Sequence, residues 1–533
     1  MKNRLQENLP SSLKLASKRL LVATVGALVR LAAFGFNSGR RLLDFAARQG
    51  LDLHKAWNVP REPKFAPAQL PAWSAQDFLF LTGTLDAART ARGASDERQQ
   101  PRTSIVIPVF NKVEFTFQCL RSLLREIDFA ETEVIVVNNA STDETAKLLS
   151  HFQALITVID NEENRGFVDA CNQGAAVARG QYLVFLNNDT VVLPGWLKHL
   201  LETVEGDART GAVGSMLLYE DGRVQEAGAG IWQNGAAFHY GWGGSPDDRR
   251  YNFAREVDYC SGASLLVRRD LFARLGGFDP RYAPAYYEDV DLCFGVRSLG
   301  YKVIYQPMSR LIHHEGATAG RDTTTGFKRH QVSGRAKFVE KWREVLAREN
   351  LPEDRLRTRE ASNRKRAPHI IVFDERVPTP DRDAGSARML FILKSLARWS
   401  SPVFVPLNRP HGIEYERQLW KEGIETAHLV EYPRMLRTRN FYAAILSRPL
   451  VADTLIGGLR RKGRPSLKIV FDMVDAHFVR FAREHALTRD ARTAEEAARY
   501  REIELRLART SDLVWSASLE DKQAVAREVS GVR

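Results

Sequence analysis

Short apolar runs alternate with amphipathic stretches after residue 103, and this alternation constrains the fold more than any other feature of the chain. The runs are SIVIPVF, EVIVV, LITVI, QYLVFL and GAVGSML, and helical periodicity lies between the first four. Short runs rich in Val and Ile are typical of buried strands, and amphipathic segments between them are typical of covering helices. The sequence therefore predicts an α/β domain with a mainly parallel sheet and helices on both faces.

Changes in composition divide the 533 residues into four zones. Residues 1–100 are predicted to be a helical, basic extension and linker, and residues 101–347 the α/β domain. Residues 348–367 form a charged linker, and residues 368–533 a second α/β domain that starts with HIIVFDERVPTP. A chain of this length is expected to contain two or three domains.

Charge and cysteine usage exclude several classes of protein. Lys and Arg number 77 against 65 Asp and Glu, a net charge of +12, which suits phosphate-rich substrates or an anionic membrane face. The four cysteines lie far apart with no CxxC, so we expect buried, reduced thiols in a cytoplasmic protein and no structural zinc or disulfide framework. Neither GxGxxG after a strand nor GxxxxGK[ST] occurs, which disfavours dinucleotide and P-loop chemistry. No nucleic-acid partner is expected.

Residues 20–36, LLVATVGALVRLAAFGF, form the one candidate membrane segment of the sequence. The segment is shorter than the about 20 apolar residues of a membrane span, and Arg30 interrupts it. A signal peptide is disfavoured because no clean small-residue cleavage site follows. Two interpretations stay open: an amphipathic basic helix in peripheral contact with an anionic membrane at its inner face, or a helical extension packed on the next domain.

Small polar or acidic residues follow four successive predicted strands. Asn111 follows the first, residues 138–143 the second, DNEENRGF the third and residues 187–189 the fourth. In open α/β sheets, ligands bind beyond the carboxyl ends of the strands. Together these residues predict a polar crevice large enough for a nucleotide. Because the usual phosphate-binding loops are missing, the site is expected to hold a diphosphate through a metal.

Eight motifs occur in a fixed order over nearly half of the chain: IPVFN, VNNASTDET, NEENRGFVDACNQG, FLNNDT, CSGASLLVRR, GGFDPRY, YYEDVDLCFGVRSLGYK and IHHEGAT. They resemble the inverting nucleotide-sugar glycosyltransferases of family 2, which have the GT-A fold. Within that family the pattern is most similar to the bacterial rhamnosyltransferase-like branch. The resemblance implies a nucleoside-diphosphate sugar as co-substrate and Mg²⁺ or Mn²⁺ as the cation.

The resemblance also implies roles for particular residues. Asp289 stands where the family has its catalytic base. Asp189 closes the Asn-Asn-Asp triplet in the place of the DxD motif and would bind the metal with His313, or with its neighbour His314. The residues implied to bind the donor are Pro108, Asn111, Asn138, Asn139, Asp143, Asn164, Arg165, Gly166, Asn187, Asn188 and Glu288.

The sequence departs from the family pattern at two places. Asn138 and Asn139 stand where acidic residues are usual after the second strand, and Asn187 stands at the first position of the DxD. Hard cations prefer charged oxygen ligands, so these changes weaken the expected grip on ribose and metal. The base is supported by chemistry as well as by position, because an inverting transfer needs one carboxylate to take the proton of the acceptor hydroxyl. Glu288, Asp289 and Asp291 open a predicted helix, and three acids exceed what the helix dipole alone favours.

A second resemblance covers the C-terminal zone. VFDERVPTPDRDAGSARM, YERQLWKEGIE, AAILSRPLVA and IVFDMVDAHFVRFARE resemble the first, Rossmann-like half of a family 4 glycosyltransferase with the GT-B fold. The nucleotide sugar binds mostly in the second half of that fold, so we expect this partial GT-B domain to be catalytically incomplete. Asp381, Arg382, Asp383 and Gly385 are also explained by a helix-capping turn.

The sequence as a whole predicts an inverting glycosyltransferase. It would move a sugar, with rhamnose as the candidate, to a hydroxyl of a bacterial surface polysaccharide or lipopolysaccharide acceptor, glycan or lipid-linked. One alternative is a non-catalytic scaffold that binds sugar nucleotides. A sugar-nucleotide pyrophosphorylase is disfavoured, since IPVFNKVEF is not the Gly-rich basic loop that such enzymes carry after the first strand.

Overall fold

The computed structural model describes residues 100–314, 330–365, 367–409 and 413–531. Within these ranges the chain forms two compact units. The first contains the described residues up to 367 together with 417–425, and the second contains 368–416 and 426–531. Residues 20–36 lie outside the described residues, so both interpretations of that segment stay predictions.

A ten-stranded mixed sheet forms the centre of the first unit, with a separate two-stranded hairpin of β8 and β9. The strands are β1 (Thr103–Val109), β2 (Thr132–Asn138), β3 (Ile156–Asp160), β4 (Tyr182–Leu186), β5 (Thr190–Val192), β6 (Thr210–Leu218), β7 (Val224–Glu226), β8 (Ala229–Ile231), β9 (Ala237–His239), β10 (Arg255–Glu256), β11 (Ser264–Arg268) and β12 (Lys302–His313). The helices are α1 (Val113–Glu126), α2 (Thr145–Phe152), α3 (Gly166–Val177), α4 (Trp196–Gly206), α5 (Arg269–Arg274), α6 (Glu288–Ser298), α7 (His330–Glu349) and α8 (Thr358–Ala361).

The strand order of the main sheet is β10-β12-β6-β11-β4-β1-β2-β3. The first four predicted strands form the parallel block β4-β1-β2-β3, as the alternation of strand and helix patterns requires. Strand β6 lies outside this block, because β11 inserts antiparallel between β4 and β6. The sheet is therefore more mixed than predicted. The chain between β6 and β11 contains the short strands β7 to β10 and irregular segments. A helical crossover, which would place β11 parallel to β6, does not occur between these two described strands.

Two hydrophobic cores cover the two faces of this sheet. Ile105 and Ile107 of β1 share one core with helices α1, α2 and α4, and Val106 shares the other with α3, α6 and α7. Successive side chains of a strand point to opposite faces, so a fully apolar strand requires helices on both sides. The predicted GT-A-like α/β architecture, with helices on both faces, is confirmed.

A six-stranded sheet of order β15-β14-β13-β16-β17-β18 forms the centre of the C-terminal region, and every pair from β14 to β18 is parallel. Its strands are β13 (His369–Arg376), β14 (Ser401–Asn408), β15 (Glu425–Thr426), β16 (Phe441–Ser447), β17 (Lys468–Asp472) and β18 (Leu513–Trp515). The helices are α9 (Ala384–Ala397), α10 (Glu414–Lys421), α11 (Tyr432–Thr438), α12 (Pro449–Lys462), α13 (His477–Thr488), α14 (Ala491–Thr510) and α15 (Leu519–Glu528). The predicted capping turn is confirmed, because the Asp383 side chain accepts the Ser386 N–H at 2.7 Å at the start of α9.

The cysteines and the helix lengths bear on the expected class of protein. All four cysteines lie in the described residues, and each is buried and free, as predicted. In the described parts of the chain, no helix is both long enough and apolar enough to cross a membrane.

Candidate active site

The carboxyl ends of β2 and β3 meet in register, with Asn138 opposite Asp160. Asn138 is buried, and its side-chain Nδ2 donates to Asp160 Oδ1 at 2.8 Å. Asp160 is exposed, so its carboxylate lies at the sheet edge beside Asn138, which stands where the family pattern usually has an acid. The sequence placed Asp160 in the predicted crevice, as the first residue after the third apolar run, but gave it no role of its own.

The loops after β1 and β2 are joined by hydrogen bonds of Asn111 and Asp143. Asn111 Oδ1 accepts the Thr142 N–H at 2.7 Å, and Asp143 accepts the N–H groups of Val113 and Thr145 at 3.1 and 3.0 Å. Partial burial acts to raise the pKa of Asp143, but the hydrogen bonds from Thr145 and Val113 hold it below its usual value. Asn111 has a φ of 55°, a left-handed conformation that is uncommon outside glycine. The structure therefore gives these two residues the role of shaping the crevice.

The loop after β3 is fixed at Gly166. Asn139 is buried and its Nδ2 donates to the Gly166 carbonyl at 3.0 Å, while Asn164 Oδ1 accepts the Gly166 N–H at 2.9 Å. Gly166 has a φ of +81°, and a Cβ there would lie 2.8 Å from the Pro284 Cβ, so only glycine fits. Asn164 and Arg165 remain exposed at the tip of this loop. Pro108 is half-buried within β1, one residue before the end of that strand.

The Asn-Asn-Asp triplet follows β4, and the antiparallel pairing of β5 with β12 carries His313 to it. His313 Nε2 lies 3.4 Å from Asp189 Oδ1, and both side chains are nearly buried. Asp189 Oδ1 and Asn187 Oδ1 are buried and have no hydrogen-bond partner among the described residues. Asn188 points elsewhere, since its Nδ2 donates to Thr116 Oγ1 at 3.0 Å.

The two neighbouring histidines face different surroundings. His314 Nδ1 lies 2.5 Å from Glu220 Oε1, and its ring packs 5.1 Å from that of Phe115. His313 Nδ1 instead lies 2.9 Å from Gln225 Oε1, an arrangement that orients Nε2 toward Asp189. Of the two histidines, His313 is therefore the one whose Nε2 lies close to Asp189.

The polar atoms around Asp189 suit a divalent cation. Asp189 Oδ1, a buried oxygen without a hydrogen-bond partner among the described residues, lies 3.4 Å from the His313 imidazole, and a carboxylate oxygen and an imidazole nitrogen are donors that Mg²⁺ or Mn²⁺ accepts. Within the described ranges, no three His, Cys, Asp or Glu side chains gather around one point. Asp189 and His313 are thus the two side chains of the described residues that lie together here.

Asp289 lies in the first turn of α6, as predicted. Its Oδ2 accepts the Gly262 N–H at 2.8 Å, and its Oδ1 accepts the Val290 N–H at 2.8 Å. Burial raises the pKa of Asp289 above its ordinary value, although these hydrogen bonds and the charge of His239 oppose the rise. A carboxylate with a raised pKa is a stronger base when it is ionised.

The other two acids of α6 have different surroundings. Glu288 is buried, its Oε2 has no hydrogen-bond partner among the described residues, and burial together with the Asp289 charge raises its pKa far above normal. Asp291 accepts the Trp342 Nε1–H at 2.7 Å and pairs with Lys341 at 2.8 Å. Asp291 therefore anchors α7, and Asp289 is the acid of α6 whose pKa and position suit a base.

Three consecutive residues, 261–263, connect the parts of the site. The Ser261 N–H donates to Glu226 Oε1 at 3.2 Å, and the Gly262 N–H donates to Asp289 as described. The Asn187 N–H donates to the Ala263 carbonyl at 3.1 Å. Glu226 is fully buried, and burial, reinforced by the Asp289 charge, raises its pKa to about 8. Sequence reasoning missed Glu226, because VQEAG carries no strong strand or motif signal.

Comparison with known proteins gives a family match for the part of the chain that contains Asp189 and Glu226, but the match ends before Asp289 and His313. Residues 104–276 match the family model for glycosyl transferase family 2. The chain therefore carries a family 2 glycosyltransferase domain. The predicted family 4 resemblance of the C-terminal zone has no counterpart in this match, which ends before that zone.

Two curated relatives are named for the synthesis of glycans. The O-antigen biosynthesis protein RfbC of Myxococcus xanthus is 32% identical over 235 residues, 42% of this chain and 18% of that protein. The N-acetylglucosaminyl-diphospho-decaprenol L-rhamnosyltransferase of Mycobacterium tuberculosis is 28% identical over 222 residues, 38% of this chain and 72% of that protein. The chain spans about a quarter or less of the length of two curated relatives that it matches.

Among solved structures, GalNAc-T7 with UDP, GalNAc and Mn²⁺ aligns with a TM-score of 0.39 and 17% identity. The alignment covers 54% of this chain and 61% of that one.

Proposed function

We propose that the chain is an inverting glycosyltransferase that moves a sugar from a nucleoside-diphosphate donor to a hydroxyl of a bacterial surface glycan. The observation that carries this proposal is the connection made by residues 261–263. Adjacent residues there hold the Asp289 carboxylate and the start of the Asn-Asn-Asp triplet. The base and the diphosphate-binding edge must lie side by side, because the acceptor oxygen bonds to the sugar while the bond from the sugar to the diphosphate breaks.

Each part of the site has a role in this reaction. Asp160, Asn164 and Arg165 line the exposed edge where the nucleoside would lie. Asp189 and His313 would hold a divalent cation, which as a Lewis acid stabilises negative charge on a leaving diphosphate. Asn139 and Gly166 fix the loop between these two regions.

Asp289 performs the proton transfer in the proposed mechanism. The acceptor hydroxyl oxygen attacks the anomeric carbon, and its proton passes to the Asp289 carboxylate. The bond between the anomeric carbon and the diphosphate oxygen breaks on the opposite face, so the configuration inverts and the electron pair leaves with the nucleoside diphosphate. The raised pKa of Asp289 favours this proton transfer.

Rhamnose carried by dTDP is the proposed donor, and a growing, lipid-linked or polymeric surface glycan is the proposed acceptor. The similarity to a protein named for O-antigen biosynthesis and to one named as an L-rhamnosyltransferase supports this choice. Residues 1–100 would keep the enzyme at an anionic membrane face. Co-sedimentation of the full chain with phosphatidylglycerol vesicles, weakening at high salt, tests that location; no binding at low salt leaves the extension as a packing element.

The second unit is proposed to be the first half of a family 4 glycosyltransferase that does not itself turn over a donor. Its parallel sheet with helical connections supports this assignment. All transfer by the full chain would then depend on Asp289.

The decisive experiment measures nucleoside diphosphate released by the full chain from a panel of nucleotide sugars. Asp289→Asn should lower turnover by about 10²–10⁴ while donor binding stays near that of wild type. Asp270→Asn, an exposed aspartate in α5, is the matched control and should keep wild-type turnover. An Asp289→Asn variant that keeps more than about a tenth of the turnover contradicts the proposed base. A wild-type chain that binds donors but turns over none supports the scaffold alternative.

A further inference from the structure

The hairpin of β8 and β9 lies outside the donor crevice but is attached to the start of α6. The Trp232 N–H donates to the Ala236 carbonyl at 2.8 Å and closes the turn of the hairpin. The Tyr287 hydroxyl donates to the Gly235 carbonyl at 2.9 Å. Tyr287 directly precedes Glu288 and Asp289, so the hairpin is positioned with respect to the proposed base.

A cavity of about 420 Å³ lies on this hairpin. Aromatic side chains form much of its lining: Trp232 and Phe238 lie with ring centroids 4.5 Å apart, and Trp242 is 71% exposed. Gly230 makes room for the Phe238 ring, because a Cβ there would lie 2.3 Å from it. Glu353 and Arg355 complete the lining with an acceptor and a donor of hydrogen bonds.

His239 connects this cavity to the base. It lines the cavity, and its Nδ1 lies 3.5 Å from Glu226 Oε2. Glu226 and Asp289 are held by the adjacent N–H groups of Ser261 and Gly262. A ligand in the cavity would therefore contact His239, the residue of the lining whose charge acts on the Asp289 carboxylate.

We propose that this cavity is the acceptor subsite and that it binds a pyranose ring of a glycan. A pyranose has an apolar C–H face, which suits the Trp242 ring, and hydroxyls at its edge, which suit Glu353 and Arg355. Glu353 and Arg355 are exposed at the edge of the cavity, and Glu353 Oε2 accepts a hydrogen bond from Asn234 Nδ2 at 2.8 Å, which holds its carboxylate at this edge. This inference rests on the proposed function, because it deepens the acceptor side of that reaction.

Binding of simple saccharides to the full chain tests the subsite directly. The probes are the methyl glycosides of rhamnose, glucose, galactose and N-acetylglucosamine, and saturation-transfer NMR detects their binding. Trp242→Ala should weaken binding of at least one probe roughly tenfold, and Trp242→Phe, which keeps an aromatic face, should restore most of it. Trp399→Ala is the matched control, because Trp399 is 55% exposed and belongs to the second unit. Equal thermal midpoints of the three variants exclude a folding defect.

The outcomes separate this inference from the proposed function. If the wild-type chain releases nucleoside diphosphate but no glycoside binds, or binding is the same in Trp242→Ala and Trp399→Ala, the subsite is wrong and the function stands. If a glycoside binds in a Trp242-dependent way but no donor is turned over, the transferase proposal fails and the cavity stands as a glycan-binding site. Trp242-dependent binding together with donor turnover supports both.

Discussion

Glu226→Gln is expected to stabilise the protein at neutral pH, although it removes a residue at the centre of the site. Glu226 is fully buried, and burial raises its pKa from the ordinary 4.5 of a glutamate to about 8. At pH 7 the unfolded chain carries this side chain as a carboxylate, whereas the folded chain keeps it protonated. Folding must therefore take up a proton, and a glutamine, which resembles the protonated acid in shape, needs none.

The size of the effect follows from the two pKa values. A raised pKa in the folded state gives stability that is fully present below about pH 4.5 and is lost as the pH rises through about 8. Each pH unit in this window costs about 1.4 kcal/mol. Glu226→Gln should therefore change the free energy of unfolding little at pH 4.5 and raise it by roughly 3 kcal/mol at pH 7.

Urea denaturation of the full chain, followed by tryptophan fluorescence at pH 5 and pH 7, measures this difference. At pH 7 the variant's midpoint should lie higher by about 1 M urea, and at pH 5 the two midpoints should nearly coincide. Glu340→Gln removes the same charge from an exposed site of α7 and should shift neither midpoint. Equal midpoints of wild type and Glu226→Gln at pH 7 would mean that Glu226 is ionised in the folded chain and would refute the reasoning.

Two further predictions concern the cation site and the second unit. Asp189→Ala should abolish the cation-dependent part of donor binding, and equal donor affinity by calorimetry with and without EDTA in wild type would remove the cation from the site. Arg388→Ala should destabilise the second unit by about 3–5 kcal/mol, because Arg388 pairs with the fully buried Asp472 through contacts of 2.9 and 2.7 Å. Without Arg388, that buried carboxylate keeps the Ser447 hydroxyl as a donor but loses its paired cation. Arg434→Ala, at an exposed position of α11, is the control for thermal unfolding; equal midpoints for both variants would contradict the prediction.

Much of the first unit could be predicted from the sequence, because its parallel strands are continuous apolar runs. Strands β1, β2, β3 and β4 coincide with the four runs that helical patterns separate, and local periodicity is enough to detect them. Strand β11 in CSGASLLVRR was recognised only as part of a motif. Its antiparallel insertion depends on pairing between distant segments, and no local pattern encodes that pairing.

The candidate site was predictable where its residues follow strand ends or open a helix, as Asp189 and Asp289 do. Glu226 and His239 could not be found in this way, since they lie on three-residue strands without a periodic signal. Their proximity to Asp289 arises from the loop of residues 261–263 and from the hairpin. The position of a short strand that long-range hydrogen bonds hold cannot be predicted from the residues of that strand alone, because it depends on the segments that pair with it.

The missing carboxylates of the family pattern have a spatial counterpart that a comparison by position overlooks. Asn138 stands where an acid is usual, but its amide donates to Asp160 at the end of the neighbouring strand. In a parallel pair, residues opposite each other at the carboxyl ends face the same crevice, so a carboxylate on β3 can serve a ligand that β2 would otherwise hold. The amide of Asn138 also fixes the orientation of that carboxylate, which an acid at the same position would repel. The Asn–Asp pair therefore keeps one oriented carboxylate at this edge of the sheet. Two adjacent carboxylates at the same place would have repelled each other.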